Sequence, residues 1–95
     1  MTWYRVQLHC AFADPFVIAG DNAGGFYTTR FVEAAFDRAA VDVAIERLRA
    51  EPKYQQLRTQ LPAEPQITAD DVEPVAQPSS GLPLHGFAFY RVGGD

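Results

Sequence analysis

His9 and Cys10 set an imidazole beside a thiol, the two groups that a cysteine nucleophile and its general base would require. The residues around them, WYRVQLHCAF, alternate with period two, so neighbouring side chains point to opposite sides of a strand. The pair therefore makes no dyad. Cys10 shares its side with Leu8 and Phe12 and reads as an inert buried thiol. Two histidines and one cysteine without close spacing offer no metal site. Asp70, Asp71 and Glu73 lie in one polar segment, where a solvated edge explains them better than an acid/base pair. No catalytic residue and no cofactor is expected.

The glycine-rich stretch AGDNAGGFYTTRF, residues 19–31, raises phosphate binding through backbone amides. A phosphate loop needs a lysine after its glycines and a helix directly behind it, and a dinucleotide loop needs GxGxxG at a strand-to-helix turn. This stretch meets neither requirement and runs into a strand, so a hairpin turn is predicted. Calcium binding through Asp14, Asp21 and Asn22 lacks the alternating oxygen pattern and its terminal Glu.

The aromatic and arginine content of the strand segments is a stronger signal. Arg5, Arg30 and Arg91, if they share the face opposite the helix, would form with His9 a cationic patch flanked by Trp3 and Phe89. Such a patch would hold a small anion, a nucleotide or single-stranded nucleic acid by charge and stacking. Two features oppose it. Eight basic residues against twelve acidic ones give a net charge of −4, which repels nucleic acid and anionic membranes, and the arginines have surplus acids to pair with. Apolar residues on both sides of FYTTRFV leave its register open.

The elements that would position these groups are those of one 95-residue domain, 47% hydrophobic and 21% charged. A first strand runs from Trp3 to Phe12 and is predicted to end at Asp14-Pro15. A connection over 14–25 leads to a second strand from Phe26 to about Ala34. Asp37 is predicted to cap a helix with Ala40, Val41, Ala44, Ile45 and Leu48 on its buried side. Pro52 opens a short second helix containing Tyr54, Leu57 and Leu61, which Pro62 stops. QITADDVEPV reads as an acidic edge strand, FAFYRV as a final strand, and GGD as a loose tail. The expected fold is α+β: a two-layer sandwich of about four mostly antiparallel strands in ββαββ order, with one main and one short helix on one face.

A single helical layer leaves the other sheet face uncovered, and aromatic residues there are costly in water unless something covers them. A homodimer is therefore expected, with Trp3, Tyr27, Phe31 and Phe89 at its interface. The alternative is a small-ligand or anion-binding protein, conceivably an enzyme, using Arg5, His9, Arg30 and Arg91, and a weaker one is single-stranded nucleic-acid binding; a protein partner is a further expectation. The lone cysteine and the absence of an apolar run long enough to span a bilayer predict a cytoplasmic protein without membrane association.

The run GFYTTRFVEAAFDRAAVDVAIERLRAEP resembles a group of short bacterial proteins of unknown function that carry a similar strand leading into an alanine-rich helix. The likeness covers mainly Gly25 to Pro52, with weaker similarity in WYRVQL and GFAFYRV. It implies a stand-alone small α+β domain and transfers no catalytic residue.

Overall fold

The alternating pattern of the N-terminal segment becomes the central strand of the sheet. In the computed structural model, which describes residues 1–18, 20–77 and 86–92, β1 (Thr2–Ile18) and β2 (Asp21–Ala34) form a long hairpin. Helices α1 (Asp37–Ala50) and α2 (Pro52–Gln60) follow, then β3 (Gln66–Val75) and β4 (Ala88–Arg91). The sheet order is β3-β1-β2-β4, antiparallel throughout. The expected α+β sandwich is the observed one. The connector at 78–85, with His85, and the tail at 93–95 lie outside the described residues.

One face of the sheet carries Tyr4, Val6, Leu8 and Cys10 from β1 and Phe26, Val32 and Ala34 from β2, all buried. Ala40, Ala44 and Leu48 of α1 close over them, with Tyr54 of α2 beside them. The two alanines leave no side-chain bulk between helix backbone and sheet, so α1 can approach closely. Of the stripe read from the sequence, Ala40, Ala44 and Leu48 are buried, while Val41 and Ile45 are half-buried beside the core.

Three local expectations are corrected. Asp14-Pro15 does not end β1: pairing to β2 breaks after Ala11↔Gly25 and resumes at Phe16↔Ala23. Pro15 falls within this irregularity, where no ladder partner needs its missing N–H, so the strand passes it. The glycine-rich stretch is accordingly mostly β2, with the reversal at Gly20, whose φ of 87° suits glycine. Gly25 is confined for another reason. A Cβ there would strike the Cys10 carbonyl oxygen and approach the Tyr90 hydroxyl, so only glycine lets β4 lie against the hairpin.

The third correction concerns α1. Its N-cap is Phe36, with no side-chain cap bond, and Asp37 is the first helical residue, its Oδ1 accepting from the Arg38 backbone N–H at 2.7 Å. Asp37 still places a negative charge at the positive helix end. The predicted break at Glu51-Pro52 is observed: Glu51 is at once the C-cap of α1 and the N-cap of α2.

β3 is an edge strand, as its acids suggested. Its pairing with β1 shifts between Gln7↔Asp71 and Leu8↔Ala69, which leaves Asp70 without a partner and kinks the edge away from unwanted pairing.

Candidate functional site

With Phe26 and Val32 in the core, the period of two carries Thr28 and Arg30 onto the same, helix-covered face. Arg30 is only 3% exposed. Its guanidinium forks onto Glu51, Nη1 donating to Oε2 and Nη2 to Oε1, while Nε donates to Thr28 Oγ1 at 3.2 Å. Burial pulls the Arg30 pKa below its ordinary value, and the fork holds the charge in place. Arg30 thus ties β2 to the junction of the two helices.

Arg5 lies on the opposite face and is equally engaged, with Asp71 at 3.2 Å and Glu73 at 2.8 Å, both from the neighbouring edge strand. Arg91 follows Tyr90 by one residue, so it lies on the other side of β4 from His9. The three arginines are therefore not one cationic patch. Two of them answer acids of the same chain.

The helix-free face assembles a different set. Register places Trp3 between Glu33 and Val75, Arg5 beside Phe31, and His9 beside Tyr27. Tyr90 of β4 joins them. His9 and Tyr27 stack with ring centroids 4.7 Å apart, and His9 Nε2 lies 2.7 Å from the Tyr90 hydroxyl. That hydroxyl donates its one proton to the Gly24 carbonyl at 3.2 Å, so the His9 bond requires Nε2–H as donor. Burial, then Tyr27, pushes the Tyr90 phenol up. The cluster staples the last strand across β2 to the central strand.

Of the expected interface residues, Trp3, Tyr27 and Phe31 share this face, each partly exposed. Phe89 does not: it sits on the helix side, 5.3 Å from the Phe26 ring. There it borders a groove of about 320 Å³ between α2 and the far ends of β1 and β4, lined by Phe16, Val17, Lys53, Leu57 and Phe87 among others. Sequence reasoning missed this groove. Its signals were the apolar Phe16 and Val17 in a supposed loop and the spacing of Lys53, Gln56, Leu57 and Gln60 along one side of α2.

Cys10 is fully buried beneath the helices, and burial pushes its thiol up to about 12 despite Arg30 and Arg49 nearby. The folded protein should resist iodoacetamide at pH 8.5 and react on addition of denaturant; labelling at the rate of a free thiol in the native state would contradict the burial. The shift also has a stability consequence. The unfolded thiol ionises near 9 and the folded one only near 12, so this contribution is complete below pH 9 and lost as pH rises toward 12.

Among the described residues no cluster of His, Cys, Asp and Glu could hold a metal, and no helix is long and apolar enough to cross a membrane. Fold and site together define a two-layer α+β domain with one sheet face covered by helices and an aromatic band on the other. The chain matches no family model, no curated protein and no solved structure, so its functional reading rests on its own residues.

Proposed function

We propose that this protein is a non-enzymatic interaction module that pairs with a second copy of itself through the helix-free face of the sheet. The observation that carries the reading is the joining of Trp3, Phe31, Tyr27 and Tyr90 on that one face, with the cation among them, Arg5, already neutralised by Asp71 and Glu73. Such a band costs free energy in water and gains it when covered.

Its size fits a second copy. Strands about 4.8 Å apart and about 3.3 Å per residue give the band from Trp3 to Ala11 a footprint of roughly 500 Å². Upstanding side chains enlarge this toward the roughly 800 Å² that each partner contributes to a standard interface. A two-fold axis through the band would set aromatic side chains against aromatic side chains, with the exposed Glu33 beside Trp3 left at the end of the band.

Trp3 is the only tryptophan and lies within the band, so its emission reports on cover. On dilution from millimolar to nanomolar chain, its emission should move to the red and acrylamide quenching should rise. Constant emission and quenching over that range, at the values of an exposed indole, would defeat the proposal.

A further inference from the structure

The helix-side groove has a chemistry of its own. Phe16, Val17, Leu57, Phe87 and Phe89 give it apolar walls, with Val17 62% and Phe89 38% exposed. Gln56 and Gln60 from successive turns of α2 put amides along one rim. Among the described residues Lys53 is the only charged one lining it, and it is the only lysine in the chain. Its ammonium rests over the Phe87 ring, 4.6 Å from the centroid, and it has no carboxylate partner among the described residues. Arg5, Arg30 and Arg49, by contrast, all pair with acids. In a chain of net charge −4, an apolar groove whose one charge among the described residues is a cation without a carboxylate partner there selects an anion with an apolar body.

We propose that this groove binds an aliphatic monocarboxylate, its carboxylate on Lys53 Nζ and its chain along Phe16, Leu57 and Phe89. The volume of about 320 Å³ lies at the lower end of the range for small-molecule sites, which suits a single medium-length chain. Phe87 holds the ammonium at the groove by a cation–π contact, while the glutamine amides can donate to the second carboxylate oxygen. The site is on the opposite side of the sheet from the self-association surface and stands apart from that reading.

The single lysine provides the test. Reductive methylation with ¹³C-formaldehyde labels Lys53 and the N-terminus of the full chain and keeps both charges. Titration with decanoate below its micellar concentration should shift the Lys53 resonance saturably and leave that of the N-terminus in place. Octanoate should bind more weakly by up to about fourfold for each methylene removed. For binding to the unlabelled chain followed by calorimetry, Lys53→Met should weaken decanoate at least tenfold, because its stem still packs but its charge is gone. Decanol should bind the parent and the variant alike. A Lys53 resonance that does not saturate, or decanoate binding the variant as tightly as the parent, overturns the proposal.

Discussion

Glu51→Ala should lower the unfolding free energy by about 3–5 kcal/mol, a large share of the roughly 5–15 kcal/mol that holds a domain together. The variant leaves Arg30 buried with its charge uncompensated, and Arg30 is 3% exposed. Capping does not account for the loss, because Glu51 makes no side-chain cap bond to α2; its carboxylate is committed to Arg30. In urea the midpoint should fall by about 2 M with little change in slope. The double variant Arg30→Met, Glu51→Leu should recover most of the stability, since removing both charges removes the desolvation cost as well. A loss under about 1 kcal/mol in the single variant would mean that the ion pair does not anchor the helix junction.

Phe31→Asp should weaken self-association at least thirtyfold, the effect of losing a hot-spot residue worth about 2 kcal/mol or more. Phe31 lies in the middle of the helix-free band, directly across from Arg5. The introduced carboxylate would meet Arg5 within the monomer, so the fold should keep its thermal midpoint while the interface gains a charge that must be desolvated. Sedimentation velocity on parent and variant at equal concentration separates the two effects. If the variant sediments as the parent does, the sheet face is not the interface.

What the sequence revealed and what it concealed follow from the range of the interactions involved. The alternation in β1 and the stripe Ala40, Val41, Ala44, Ile45, Leu48 are local patterns; the first appears in the structure as read, and the second with Val41 and Ile45 half-buried at its border. Glu51-Pro52 was legible for the same reason, since proline at a first helical turn acts within one residue. The register of β2 was not, because Phe26, Tyr27, Phe31 and Val32 place apolar groups on both faces and only contact with α1 decides between them. That decision buried Arg30. Its partner Glu51 is 21 residues away, past the whole of α1, a separation at which no residue spacing signals a contact.

The passage of β1 beyond Pro15 was hidden differently. A proline reads as a stop wherever its N–H would be needed, and the sequence does not show that the ladder is already broken there. The candidate site was half visible: Trp3, Tyr27, Phe31 and His9 do share one face. Phe89 was misassigned because the parity of a four-residue strand depends on its pairing, and Phe26↔Phe89 sets it toward the helices.

The central claim is that the aromatic band is covered by a second copy of this chain. Light scattering across a concentration series measures it most directly. The proposal predicts twice the chain mass of 10.5 kDa at micromolar concentration, falling to the single-chain mass on dilution, with the midpoint of that fall at least thirtyfold higher in concentration for Phe31→Asp. A strict monomer up to millimolar concentration would contradict it.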